Sequence, residues 1–185
     1  MVQGDDEWHL WRRQGVCASD APAIMGASPY KKALDIYNEK LGLVPKTIPN
    51  EAMLRGSRLE PRARAIFEFM MEKDFPADLA VMDGFPYLRA SLDGKSSDNE
   101  LCEFKYIGKK KDGIRQDYLI QIQFQLMVTG IFVNWYVPYN CDATSERVFL
   151  HEPVKIIADN SMQEAIFKKC TLFWECVKNK IPPKY

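Results

Sequence analysis

Residues 89–106 read R-A-S-L-D-G-K-S-S-D-N-E-L-C-E-F-K-Y, two strand-like runs separated by a turn-rich segment. Val81-Met82 and Tyr87–Leu92 lead in, Gly94–Asn99 supply Gly, Ser, Asp and Asn, and Leu101–Tyr106 lead out. Side chains alternate along the second run, so Glu103 and Lys105 share one face while Cys102, Phe104 and Tyr106 take the other. Asp93, at the end of the first run, can return to the same spot across a hairpin. Two carboxylates and one ammonium then converge at a strand end. Carboxylates are hard oxygen ligands suited to Mg²⁺, which takes one or two of them and keeps several waters. A lysine beside them can orient an attacking water or stabilise charge developing at phosphorus. Taken alone, a D-x9-E-x-K spacing is commoner as a solvated hairpin with a surface Glu–Lys pair, worth little energetically.

Toward the N-terminus, Asn50 can cap a long helix through Met53, Leu54, Leu59, Ala63, Ile66, Phe67 and Met70. These spacings give an apolar face and place Phe67, Phe69 and the methionines in the core. Pro61 is expected to kink this helix or mark a helix start. Glu60 precedes it in R-G-S-R-L-E-P and reads either as a helix N-terminal charge or as a site carboxylate. Ser28-Pro29-Tyr30 opens a helix over Lys32–Leu41, closed by Gly42, with Tyr37 and Leu41 in the core. Trp8 and Trp11 stand at helical spacing, followed by Arg12 and Arg13. In G-V-C-A-S-D-A-P-A-I-M-G, Ser19 is the expected helix cap, Pro22 suits the first turn and Gly26 the stop. An exposed helix N-terminus with a serine hydroxyl and a nearby arginine also makes an anion site; capping alone accounts for Ser19 as well.

Toward the C-terminus, Lys109–Asp117 form a basic, glycine-containing loop, and Tyr118–Thr129 read as a helix ending at Gly130. Gln121 and Gln125 share a face one turn apart. Buried amides cost free energy unless hydrogen-bonded, so the three glutamines of this otherwise apolar helix need an account, and contact with solvent is the ordinary one. Phe132–Tyr139 and Glu146–His151 read as two further strands joined by a turn at Asn140–Ser145, an antiparallel extension of the sheet. Asp159–Asn179 form an amphipathic helix with Ile166, Cys170, Phe173 and Val177 on one face.

With 185 residues, 46% hydrophobic and 27% charged, the chain suits one ordinary globular domain spanning 1–185. There is no membrane-length apolar run, and the acidic start M-V-Q-G-D-D-E is unlike a signal peptide. Five scattered cysteines fit free thiols of a reducing cytosol better than a disulfide framework. Without a CxxC, and with His9 and His151 isolated, neither an iron–sulfur cluster nor a zinc site is indicated. Walker A, GxGxxG and nucleophile-elbow patterns are lacking. Equal numbers of basic and acidic residues, 25 each, count against diffuse coating of DNA. The basic residues are nevertheless sorted locally, into Arg55, Arg58, Arg62 and Arg64, and into Lys105, Lys109, Lys110, Lys111 and Arg115.

Ser-Leu-Asp-Gly followed by Glu-Phe-Lys resembles the PD-(D/E)xK nuclease signature in the form used by the lambda exonuclease/YqaJ-type viral recombinase family. Five ordered blocks carry the resemblance: 13–19, 28–42, 56–61, 89–105 and 118–130. The chain departs from the pattern in Ser-Leu-Asp, where Ser-Pro-Asp is common, and in a short C-terminus, which bears on any oligomer.

The resemblance implies an α/β, restriction-endonuclease-like fold with a mixed sheet flanked by helices. It implies a Mg²⁺-dependent double-strand DNA exonuclease that degrades one strand 5′→3′, leaving a 3′ single strand for phage recombination. Two Mg²⁺ ions, replaceable by Mn²⁺, would be held by Asp93, Glu103, the Phe104 carbonyl and Glu60. Lys105 and Gln121 would position or activate water, with Gln123 a lesser candidate. Arg13 and Ser19 would grip the 5′ phosphate, with Lys109, Lys110 and Lys111 also on the DNA. A homotrimer, a single-strand annealing partner, the bacterial cytoplasm and a phage or prophage origin follow from the same likeness. Two alternatives stay open: a structure-specific or Cas4-like endonuclease on this fold, and a catalytically silent DNA- or partner-binding module.

Overall fold

A computed structural model describes residues 4–45, 50–107, 113–142 and 144–184. The helices are α1 (Asp6–Arg13), α2 (Ala21–Met25), α3 (Ala33–Leu41), α4 (Glu51–Met71), α5 (Gln116–Thr129) and α6 (Asn160–Asn179). The strands are β1 (Val16–Cys17), β2 (Asp78–Met82), β3 (Phe85–Leu92), β4 (Gly94–Lys95), β5 (Glu100–Tyr106), β6 (Val133–Cys141), β7 (Val148–Leu150) and β8 (Val154–Ile157).

Two mixed sheets result. In one, β3 lies between β1, parallel to it, and β2, antiparallel. In the other the order is β4-β5-β6-β7, with β8 also paired to β6. β5 and β6 are parallel, which requires a crossover, and α5 supplies it. The expected hairpin between the two runs of 87–106 is therefore corrected. β3 pairs with β1 and β2 instead, and only Gly94 and Lys95 fold back on β5. The chain changes sheet at Asp93. Glu146–His151 contribute β7, antiparallel as expected, whereas the pairing of β8 with β6 has no counterpart in the sequence reading.

The faces of β5 pack against different helices. Cys102 and Phe104 join Leu59, Ala63 and Phe67 of α4 in one cluster, with Phe75, Val137 and Tyr139. Leu101 faces the other cluster, which includes Ile120 and Phe124 of α5 and Ile166, Cys170 and Phe173 of α6. Asn50 caps α4 as the sequence suggests, accepting from the Met53 amide at 2.9 Å, and Asp159 caps α6, accepting from the Met162 amide at 3.0 Å.

Three expectations are corrected. α4 runs unbroken through Pro61. Pro61 and Ser57, whose carbonyl loses its donor, both lie exposed, so water can serve that carbonyl. Phe69 is 85% exposed, and Met53 and Met70 are exposed too, because α4 offers the sheet only a narrow stripe of Gly56, Leu59, Ala63 and Phe67. Ser19 does not cap α2. The cap position belongs to Asp20, which makes no capping bond. Its carboxylate instead accepts from the Cys17 amide at 2.9 Å and pairs with Lys40 at 2.5 Å. Burial alone would raise the Asp20 carboxyl; Lys40 and Arg12 outweigh it and hold the group below its ordinary range. Lys40 also donates to the Arg12 carbonyl at 2.8 Å, tying α3 to the end of α1.

Candidate active site

Strand alternation sends Glu103 and Lys105 toward α5 while Cys102 and Phe104 go to the α4 side. Glu103 is 2% exposed, and each of its oxygens is hydrogen-bonded. Oε1 accepts from Lys105 Nζ at 2.5 Å and from Gln121 Nε2 at 2.6 Å. Oε2 accepts from Gln125 Nε2 at 2.5 Å. Lys105 also donates to Gln121 Oε1 at 3.1 Å, and its ammonium lies 5.3 Å from the centre of the Tyr118 ring. Burial alone would lower the Lys105 ammonium; Glu103 and Asp93 reverse this, raise it and keep it charged.

Asp93 reaches the same place from the sheet change. It is 8% exposed, and its Oδ2 accepts from the Phe104 amide at 2.9 Å. Burial raises its carboxyl well above the usual range, and the Glu103 and Glu60 carboxylates raise it further. Glu60, on α4, is raised by burial and by Glu103, against the pull of Arg64, whose guanidinium it meets at 3.0 Å. Asp93, Glu103 and Glu60 thus crowd negative charge at one strand end, where a cation would relieve it. Among the described residues, no three His, Cys, Asp or Glu side chains form a ready-made metal cage. The donors fit Mg²⁺, which needs one or two carboxylates and completes its shell with water.

Glutamines divide by helical phase. Gln121 and Gln125 face Glu103, while Gln123 points away, donating to the Ile157 carbonyl at 2.8 Å and accepting from the Asp159 amide at 2.9 Å. Gln123 therefore ties α5 to the start of α6 and lies apart from the carboxylates. Gln125 received no role from the sequence, although its spacing of four from Gln121 was the available signal.

A second polar constellation borders this one. Arg12, not Arg13, meets Ser19, its Nη2 donating to Oγ at 2.6 Å. The Arg12 guanidinium lies 4.6 Å from the centre of the Trp8 ring, and Trp8 Nε1 donates to Ser91 Oγ at 3.3 Å. Ser91 sits two residues before Asp93. The Arg13 guanidinium lies against Gly42, at the end of α3. Lys109, Lys110 and Lys111 lie outside the described residues.

Known proteins share this arrangement of elements. The structure is similar to an alkaline exonuclease from Laribacter hongkongensis, with a TM-score of 0.79, 23% identity, and 96% of this chain and 94% of that one covered. A phage related exonuclease from Haemophilus somnus gives a TM-score of 0.68 at 12% identity, covering 90% of this chain and 95% of that one. These likenesses show the fold, the expected mixed α/β, restriction-endonuclease-like architecture. In sequence, the chain is 26% identical to the uncharacterized protein YqaJ of Bacillus subtilis over 179 residues, covering 91% of this chain and 55% of that protein. It is 30% identical over 82 residues to protein D345L of African swine fever virus, covering 44% of this chain and 24% of the viral protein. The chain thus spans about half the length, or less, of the curated relatives it matches. The stretch from Glu7 to Ile131, which holds all of α1 but its first residue, the polar constellation at Ser19, Glu60, Asp93, Glu103, Lys105 and the whole of α5, matches the model of the YqaJ-like viral recombinase domain, and the chain belongs to that family.

Proposed function

We propose that this chain is a metal-dependent nuclease that removes nucleotides from double-stranded DNA ends, degrading one strand 5′→3′. The observation that carries this reading is the Glu103 carboxylate, buried beside Asp93 with Lys105 and Gln121 both on one of its oxygens. A structural ion pair has no use for a second buried carboxylate and two amides around it; hydrolysis of a phosphodiester uses them all. The Laribacter protein has also been crystallised with dAMP, the kind of product such a reaction releases.

Asp93, Glu103, the Phe104 carbonyl and Glu60 would hold two Mg²⁺ ions, or Mn²⁺ in their place. Such ions supply Lewis acidity at the phosphoryl oxygens and a water of lowered pKa. The Lys105 ammonium, held charged, offsets negative charge as it grows on the phosphate. Gln121, with one amide edge on Glu103 and the other on Lys105, keeps both at a fixed spacing. Arg12, Ser19 and Ser91 form the grip for the terminal 5′ phosphate, in place of the pairing of Arg13 with Ser19. A trimer around the DNA, an annealing protein on the released 3′ strand, and action on phage DNA in the bacterial cytoplasm complete the reading. No helix among the described residues is long and apolar enough to cross a membrane.

The test is an end-labelled linear duplex carrying a 5′ phosphate, with a closed circle beside it, in Mg²⁺ and in chelator. Metal-dependent loss from the 5′ end alone supports the proposal. Cutting of the circle would replace it with an endonuclease, and hydrolysis of neither DNA would remove the enzyme reading. On the same substrate, Arg12→Ala is expected to raise KM about tenfold or more, the scale of a lost charge-assisted hydrogen bond. Arg13→Ala should stay within about twofold of wild type, and the Arg12 effect should vanish on DNA with a 5′ hydroxyl. Equal losses in both variants would sink the reassignment.

A further inference from the structure

We propose that Gln125 and Asn134 form a positioning relay that fixes the Glu103 carboxylate; the inference rests on the nuclease reading above. Gln125 and Asn134 are fully buried, both at 0% exposure. Asn134 Nδ2 donates to Gln125 Oε1 at 2.8 Å, and Gln125 Nε2 donates to Glu103 Oε2 at 2.5 Å. The direction of this chain follows from chemistry. An ionised carboxylate only accepts, so Gln125 must offer it the amide NH₂. The Gln125 oxygen then faces Asn134, which must in turn donate.

Asn134 bears a cost for doing so. Its Oδ1 is buried without a hydrogen-bond partner. An apolar side chain on β6 would remove that orphan only by leaving Gln125 Oε1, equally buried, without its donor. Asn134 sits in the middle of the sheet, opposite Leu101 of β5 and Ile156 of β8, where an apolar residue would be the ordinary occupant. Its polar group is accounted for by the amide it orients. Glu103 sets the direction of the Gln125 amide, Asn134 holds its oxygen end in line, and Oε2 stays pinned. Rotation of the carboxylate is blocked, and Oε1 keeps its place beside Lys105 and Gln121. Gln121 and Lys105 touch the site directly; Gln125 and Asn134 act through Glu103.

The test compares wild type with Asn134→Val, which removes the donor and leaves Gln125 Oε1 unpaired in place of Asn134 Oδ1, and Asn134→Ser, which keeps a donor. Melting temperature, calorimetric titration of the DNA-free protein with Mn²⁺, and kcat and KM on a 5′-phosphorylated duplex are measured for each. Asn134→Val is expected to melt close to wild type, since one unpaired buried acceptor replaces another, to bind Mn²⁺ about tenfold more weakly, and to lose about 10–100-fold in kcat with KM unchanged. Asn134→Ser should recover most of both losses. If Asn134→Val melts lower, Gln125→Met, of similar volume, should show the same split between kcat and KM. Wild-type Mn²⁺ affinity and kcat in Asn134→Val, or a serine variant as impaired as the valine one, overturns the relay alone. A wild-type protein that neither binds Mn²⁺ nor cuts DNA overturns the nuclease reading and the relay with it.

Discussion

Glu103→Gln is expected to lower the rate of nucleotide release by about 10³-fold or more while the chain stays folded. The substitution preserves shape and removes what the surroundings require. Lys105, Gln121 and Gln125 all donate to this carboxylate, at 2.5, 2.6 and 2.5 Å. A glutamine has one acceptor oxygen and an amide that can only donate, so at least one donor loses its partner. Stability should fall by less than the roughly 3–5 kcal/mol for breaking an isolated buried pair. Asp93 remains to balance Lys105, and the repulsion between the two carboxylates is gone. Single-turnover rates at saturating DNA, read beside a thermal melt, check both halves. A variant within tenfold of wild type would show that Glu103 is a packing residue.

Gly94→Ala is expected to cost about 2 kcal/mol in stability and about 10²-fold in rate, although the residue carries no functional group. A Cβ at position 94 would stand 2.5 Å from Cys102 Sγ and 2.7 Å from both the Cβ and the carbonyl oxygen of Phe75. The sulfur has little room to move, and the carbonyl is backbone that Arg64 Nη1 already holds at 2.5 Å. β4 must therefore back away from β5, and Asp93 moves with it, stretching its bond to the Phe104 amide. Misplacement by about 1 Å is enough for a loss of this size. Cys102→Ala combined with Gly94→Ala should recover part of the stability. Urea melts and the end-labelled assay on both variants decide it, and an unaltered rate in Gly94→Ala would show that Asp93 tolerates displacement.

What could be read from the sequence was whatever depends on local periodicity. Alternation along residues 100–106 was enough to place Glu103 and Lys105 on one face. A helical step of four was enough to put Gln121 beside Gln125. Features that depend on tertiary pairing were not legible. Nothing local in 87–106 says that β3 will choose β1 and β2 over β5, because the choice is made by residues far along the chain. Phe69 follows Phe67 by two positions, which turns it about 200° around α4 and into solvent. Arg12 and Arg13 differ by about 100° of helical phase, and only the docking of α1 against α3 decides which one meets Ser19. Asn134 is the hardest of all, since its role exists only through α5.

The change of sheet at Asp93 has a metric consequence. Ser91, proposed above for the phosphate grip, and Asp93, at the carboxylates, are separated by two residues of extended chain, about 7 Å. That span is close to the backbone repeat of one nucleotide in a stretched strand. A single short piece of polypeptide would then serve as a ruler, with the terminal phosphate parked at one mark and the bond to be broken at the other. On such a gauge the size of the bite is set by covalent geometry, and it cannot drift without breaking β3.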